Sequence, residues 1–351
     1  MRRVAVVAPQ SLGGVKTITN KLIMGLVKEG LLVTRIDLHG ESRVLRLFRD
    51  LKNIKLLRNF DTVMYMGSMP YPSHWLVQEV RTVLFIHGYV LHEIIGILND
   101  PYTSLRRKIK SFYLIIPWNF NRLLGGIDLY VCHSITTCEE NNIRGRFVVL
   151  PQFIFPEEVG FYTRYQELER IGDNRDTRIT IAAYVSSSPK LLTLHALLRI
   201  IMSLSKKIGN REVELIIVDS RIKGSVVERW NNLIVHRVGS MPRSDFLKLL
   251  ASADLYMEGC IDEELRIASI EAGLLGTPVA KLTHPKFVTR QDYCDEVIWS
   301  SSPGGLVDAL ADYIANVEYW KPYYAKKLRN FLVTRRNWDS VKEPLVNFLK
   351  A

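Results

Sequence analysis

Apolar runs of five to eight residues alternate with amphipathic stretches along most of this 351-residue chain, and that alternation admits few folds. Short, nearly continuous apolar runs suit strands buried on both faces, and the longer stretches between them suit helices covering those faces. Repeated strand-helix units around parallel sheets are therefore predicted. The first half predicts strands at Val4 to Ala8, Leu32 to Asp37, Thr62 to Met66, Val83 to His87, Leu129 to Cys132 and Phe147 to Leu150. Between the first two, Val15, Ile18, Leu22 and Leu26 recur at helical spacing, and Gly30 ends that helix. From Pro151 to Arg178 the alternation breaks, with Pro156, Gly160, Gly172 and the charged run Asp173 to Asp176, which marks an interdomain connection. A second alternation follows: strand Ile179 to Tyr184, helix Leu191 to Lys207, strands Glu214 to Val218 and Leu233 to Arg237, helix Arg243 to Ala251, strand Leu255 to Glu258. A helix from Ile267, a strand Pro278 to Leu282, a strand near Glu296 to Trp299 and a helix Gly305 to Ala315 complete it, and Glu318 to Ala351 reads as wholly helical.

Length allows two cores, and 47% apolar with 24% charged residues describes a globular chain. No apolar run approaches the roughly 18 residues of a membrane span; the greasiest, Tyr113 to Trp118, contains Pro117. The start, Met1-Arg2-Arg3 followed by Val4 to Ala8, runs into Pro9 and Gly13-Gly14 too soon for a signal peptide and reads as a first strand and glycine turn. Cys132, Cys138, Cys260 and Cys294 show no C-x-x-C spacing and no adjacent histidine pattern, so neither zinc nor a disulfide framework is suggested, and the expected compartment is the reducing cytoplasm. The net charge of +11 is concentrated in the first half, with 20 Lys and Arg against 13 Asp and Glu through Gly160. An anionic partner follows from that balance, without its class.

Glu263 and Glu271 give the charge pattern a chemical direction. They lie eight residues apart in a segment that ends Gly276-Thr277-Pro278-Val279-Ala280. If the segment is helical from Ile267, about 8 residues at roughly 1.5 Å each separate the carboxylates by about 12 Å. That span suits a ligand with hydroxyl-rich ends and a diphosphate between them. One carboxylate would accept from a sugar, the other from a ribose diol, and the helix N-terminus would face the phosphates. Two glutamates at a helix start also fit a solvated face favoured by the macrodipole. The flanking strands, which set the segment inside a βαβ unit, favour the ligand reading.

The segment resembles the E-x7-E signature of retaining glycosyltransferases of the GT-B fold, family 4. Glu263, Leu265, Ile267, Ile270, Glu271, Ala272, Gly276, Pro278 and Val279 match it, whereas Glu264 and Arg266 stand where the family has glycines. The resemblance implies an α/β, GT-B architecture of two Rossmann-like domains facing a cleft. On it, residues 1–160 form an acceptor-binding domain, 161–177 the connection, 178–317 the nucleotide-sugar donor domain, and 318–351 a helical segment crossing back to the first domain. It also implies transfer of a hexose-type sugar with retained configuration, Glu263 positioning the sugar and Glu271 the ribose diol.

Other positions take roles from the same resemblance. Gly13 and Gly14, between the first strand and helix, would bring backbone amides to the donor; they lack the G-x-G-x-x-G of dinucleotide enzymes. His87, ending an apolar strand, would reach the transferred sugar. Lys190 matches the family's phosphate-binding lysine, but the partner arginine is missing near Val185 and Ser186. Arg266, Arg221 and Lys223 are the cations that could replace it, and a large share of catalysis rests on such charges. Ile267 opens the helix facing the donor, and Gly239-Ser240 would lie near the base. No Asp-x-Asp pair occurs, so no metal and no cofactor beyond the donor substrate is expected.

Arg43 to Phe60 and Ser104 to Leu124 interleave cations with aromatic and aliphatic residues, a composition that suits an anionic membrane surface as well as a basic-faced core helix. Expected partners are therefore a nucleotide-sugar donor, a glycan or lipid-linked acceptor, and a cytoplasmic membrane face contacted peripherally through 43–60 and 104–124; nucleic acid is disfavoured. Two alternatives stay open: another GT-B enzyme, such as a sugar-nucleotide epimerase or phosphorylase, or a basic membrane- or nucleic-acid-binding protein whose site has decayed.

Overall fold

The computed structural model describes residues 1–9, 14–38, 43–67, 72–77, 79–87, 105, 109, 126–170, 178–185, 194–219, 222–259, 264–285, 293 and 295–351. Two compact units divide them: Met1–Gln152 with Trp338–Ala351, and Phe153–Asn337. Each is built on its own sheet.

The first sheet orders its strands β2-β1-β3-β4-β5-β6: β1 Arg3–Pro9, β2 Leu32–Leu38, β3 Thr62–Met66, β4 Arg81–Ile86, β5 Leu129–Cys132 and β6 Phe147–Val149. All its pairings are parallel. Parallel strands covered on both faces read as unbroken apolar runs, and β3 is accordingly buried at every residue. The helices are α1 Gly14–Lys28, α2 Arg43–Lys52, α3 Ile54–Leu57, α4 Pro72–Leu76 and α5 Ile135–Glu140. Two more, α12 Trp338–Val341 and α13 Glu343–Lys350, come from the chain's end. Trp338 is fully buried and donates its indole N–H to Glu29 of α1 at 3.2 Å. Arg81 donates to the carbonyl of Phe348, 3.0 Å away.

One cysteine expectation is corrected. Cys132, the last residue of β5, and Cys138, in α5, form a disulfide with Cα atoms 5.7 Å apart. A helix starting three residues after the strand folds position 138 back over the strand end, a contact that C-x5-C spacing alone does not reveal. Cysteine usage therefore gives no support to a reducing compartment.

The second sheet runs β13-β12-β11-β7-β8-β10-β9, with β7 Ile179–Val185, β8 Val213–Asp219, β9 Ser225–Trp230, β10 Leu233–Val238, β11 Leu255–Glu258, β12 Val279–Leu282 and β13 Ile298–Ser300. Only the edge pairing, β9 with β10, is antiparallel. Alternate residues of its central strands enter separate cores. Ile181, Ala183, Leu215, Ile217, Leu255 and Met257 pack with Leu197 and Leu310, whereas Ala182 and Tyr256 pack with Leu250, Ile270 and Leu332. The covering helices are α6 Pro156–Arg170, α7 Leu194–Lys207, α8 Arg243–Ser252, α9 Ile267–Leu274, α10 Pro303–Ala315 and α11 Val317–Arg335.

Two of the differences from the sequence reading have a local physical cause. Helix α6 occupies much of the stretch where the pattern breaks: Pro156 stands at its start, where proline is tolerated, and Glu158 accepts from the Phe155 N–H at 2.8 Å. Strand β9 was not predicted because nearly every residue of it is exposed, leaving no apolar run to detect.

Candidate functional site

Helix α9 is the centre of the second unit's candidate site. It follows β11, and after it the chain enters β12, a parallel neighbour of β11. Strand β7 lies between β8 and β11, so the strand order reverses at β7 and β11, the place where an open parallel sheet admits ligands at its carboxyl edge. Ser269 through Leu274 are all buried. The helix stops in a Schellman turn: Thr277 N–H reaches the Ala272 carbonyl at 2.9 Å, Gly276 N–H the Gly273 carbonyl at 3.2 Å, and Gly276 takes φ of 78°. That left-handed position accounts for the glycine before Thr277-Pro278-Val279.

Glu271, in the second turn of α9, is 4% exposed. Its Oε1 accepts from the guanidinium of Arg243, the first residue of α8, and from the hydroxyl of Tyr162 on α6 at 3.4 Å. Arg243 also donates to the Tyr162 oxygen at 3.3 Å, closing a three-membered network. Burial, and then the negative charge of Glu271, push the Tyr162 phenol above its ordinary pKa, so it remains a donor. Neither Arg243 nor Tyr162 was singled out from the sequence. They lie 28 and 109 residues from Glu271, and no local pattern links them.

Arg266 caps α9 in an extended conformation without a side-chain cap bond, and Ile267 begins the helix. Arg266 Nη1 lies 3.7 Å from Glu264 Oε2, with the carboxylate nearly buried. The two residues thus compensate each other's charge. Beneath them, fully buried Lys281 donates to the Glu264 carbonyl, and its ammonium lies 6.0 Å from the Tyr293 ring centre. Glu258, the register partner of Lys281, is also buried and accepts from Ser269 of α9. At the end of β10, Gly239 N–H donates to the Gly224 carbonyl at 2.8 Å and Ser240 is exposed.

In the first unit the order reverses at β1, and Gly14 opens α1 just after that strand. His87 follows β4, its ring stacked on Phe85 with centroids 4.7 Å apart. Its Nδ1 lies 3.2 Å from Nε2 of His133, a buried residue that follows β5. His133 was missed in the sequence. The available signal was its position one residue beyond a strand, matching that of His87 on the adjacent one.

Gly13, Lys190, Arg221 and Glu263 lie outside the described residues, as does most of 104–124. Among the described residues, no three His, Cys, Asp or Glu side chains gather to hold a metal ion, and no helix is long and apolar enough to cross a membrane.

No protein-family model and no curated protein matches the sequence. Solved structures do match it along its length. The glycosyltransferase WaaG of lipopolysaccharide biosynthesis is 14% identical, with 99% of this chain covering 100% of that one at a TM-score of 0.64. Sucrose-phosphate synthase of Thermosynechococcus elongatus is 12% identical, covering 100% and 98%, at 0.63. HepE of Anabaena, solved with UDP and glucose, is 11% identical, covering 100% of both, at 0.59. The chain has the GT-B fold.

Proposed function

We propose that this protein is a glycosyltransferase that moves a hexose-type sugar, with retained configuration, from a nucleotide diphosphate sugar to an acceptor hydroxyl. The observation that carries the reading is Glu271. It is a buried carboxylate on the helix that follows the reversal strand of the second sheet, in a fold shared over full length with glycosyltransferases. Such a carboxylate, fixed by Arg243 and Tyr162, suits the two hydroxyls of a ribose. HepE, with UDP and glucose bound, has the same fold.

In this mechanism Glu263 holds the donor sugar, His87 lies at its reacting end, and Gly13, Gly14, Lys190, Arg221, Gly239, Ser240 and Ile267 line the donor. The diphosphate departs as an oxocarbenium-like centre forms, and the acceptor hydroxyl enters on the same face. Positioned cations and helix amides, rather than a metal, stabilise the leaving group. Arg266 contributes less than an unpaired arginine would, since Glu264 offsets its charge. The acceptor is a glycan or lipid-linked molecule, and the protein is peripheral at an anionic membrane face; the cytoplasmic side expected from the sequence has no support from the Cys132–Cys138 disulfide.

A thermal-shift screen across UDP-, GDP- and ADP-sugars tests donor binding: at about 100 times Kd a ligand adds about 2.7 kcal/mol of stability. Release of nucleoside diphosphate only with acceptor, surviving excess EDTA, is the expected activity. No shift with any donor would overturn the reading, and release that requires added metal would overturn its metal-free part.

A further inference from the structure

The parallel register of β4, β5 and β6 brings three groups into line at the sheet's carboxyl edge. Ile86 pairs with Cys132 and Cys132 with Val149, so the next residues, His87, His133 and Leu150, fall side by side. The Leu150 N–H donates to the Cys132 carbonyl at 2.7 Å, continuing the ladder to that point. His133 Nδ1 lies 3.1 Å from the Leu150 carbonyl, and its Nε2 lies 3.2 Å from His87 Nδ1.

Hydrogen-bond chemistry orders the protons along this line. A carbonyl only accepts, so His133 Nδ1 carries the proton it donates to Leu150. In the neutral ring Nε2 then holds a lone pair, and His87 Nδ1 must donate to it. On that tautomer the buried Nε2 of His87 carries a lone pair and no hydrogen. Stacking on Phe85, two residues earlier on the same face of the strand, holds the ring plane.

We infer that His133 is a positioning residue that fixes His87 as the Nδ1–H tautomer, so that a group reaching Nε2 would find an acceptor for a hydroxyl hydrogen and not a donor for a phosphate. This role deepens, and its functional part rests on, the reading of the protein as a sugar transferase. A sugar hydroxyl supplies the hydrogen that Nε2 can accept. A phosphate oxygen, with no hydrogen to give, would face a lone pair.

Long-range proton-nitrogen spectra of the full chain with 15N-labelled histidine, recorded ligand-free near pH 8 and assigned with His87→Gln and His133→Gln, read the tautomer directly. The expected result is a protonated Nδ1 and an unprotonated Nε2 on His87. In His133→Phe, which removes the acceptor, the His87 signals should move toward the Nε2–H form; in His133→Gln, whose amide oxygen can accept, the Nδ1–H form should return. His87 as Nε2–H in the unaltered chain overturns the inference, and so does a His87 tautomer unmoved by His133→Phe. Should His133→Phe fail to fold, the unaltered chain and His133→Gln still decide. None of these spectra needs a donor, so failure of the transferase reading is seen separately, in the absence of any donor-induced thermal shift.

Discussion

The guanidinium of Arg243 meets the same oxygen of Glu271 that accepts from Tyr162, so one carboxylate on α9 is held from both α8 and α6. Two donors converging on Oε1 orient the whole group. Arg243→Ala is expected to cost about 1–3 kcal/mol of stability, because a charged hydrogen bond is lost to a buried carboxylate while the arginine itself is half exposed. Affinity for the nucleoside diphosphate found in the donor screen should fall about tenfold, a change of about 1.4 kcal/mol. Calorimetric titration with urea denaturation checks both; unchanged or tighter nucleotide binding would mean that Arg243 competes for Glu271.

The Glu264–Arg266 pair makes a different prediction. Removing one partner leaves the other charge largely buried, whereas removing both does not. Glu264→Ala should therefore destabilise more than Glu264→Ala with Arg266→Ala, with a coupling on the order of 1 kcal/mol in a double-mutant cycle. Additive changes would show the pair to be inert. In the same set, Arg266→Ala should lower turnover only a few-fold, since Glu264 already offsets the cation.

How much of this was readable beforehand follows the physics of each element. Strands such as Thr62–Met66 and Leu129–Cys132 were predicted to the residue because double-sided burial leaves unbroken apolar runs. The helix carrying Glu271 was readable from the residues around it and from the glycine of its Schellman turn. Strand β9 buries too little to leave a pattern, and α6 was hidden because Pro156 and Gly160 look like breakers when the first-turn position of the proline is unknown. Partners set by packing were out of reach: Arg243 and Tyr162 reach Glu271 across three helices, and the His87–His133 contact depends on register between strands 46 residues apart.

Glu29 ties α1 to the end of the chain and predicts an acid-sensitive joint. Lys342 donates to Glu29 at 2.6 Å. That bond, aided by the Trp338 N–H and the charges of Lys342 and Lys350 against some burial, lowers the Glu29 pKa from 4.5. A carboxylate depressed in the folded state stabilises it above its unfolded value, and the contribution is lost as pH falls through the folded value. The stability gap between the unaltered protein and Glu29→Gln should thus be full near pH 7 and narrow progressively below about pH 4.5. Urea midpoints from pH 7 to pH 3 measure it; a constant gap contradicts the assignment.

Close packing at the same joint gives a steric test. A Cβ on Gly25 would lie 2.6 Å from the indole of Trp338, which is almost fully buried and cannot swing aside freely. Helix propensity favours alanine by about 1 kcal/mol, but overpacking typically costs about 1–3 kcal/mol. Gly25→Ala should be net destabilising and should speed hydrogen exchange across 338–351. Stabilisation with unchanged exchange would show that the indole moves readily.

Among the described side chains of α2 a carboxylate is buried and apolar groups are exposed, the reverse of an ordinary surface helix. Asp50 is 1% exposed and accepts from Ser73 N–H and Oγ–H at 2.7 and 2.6 Å, whereas Phe48 is 60% exposed, with Leu51 and Leu56 of the same region exposed as well. Exposed Arg49, Lys52 and Lys55 lie among them. Each cation near an anionic bilayer contributes about 1 kcal/mol, and burying a phenylalanine about 1.5–3 kcal/mol, so both terms are needed for measurable binding. Cosedimentation with anionic vesicles is expected at low salt and should weaken at high salt as the charges are screened. Phe48→Ser with Leu51→Ser should reduce it at least tenfold at a stability cost of about 1 kcal/mol, since Phe48 is 60% exposed but Leu51 only 38%. Binding that survives this double change would place the membrane contact elsewhere, and absence of binding at any salt would remove the peripheral site from the proposed function.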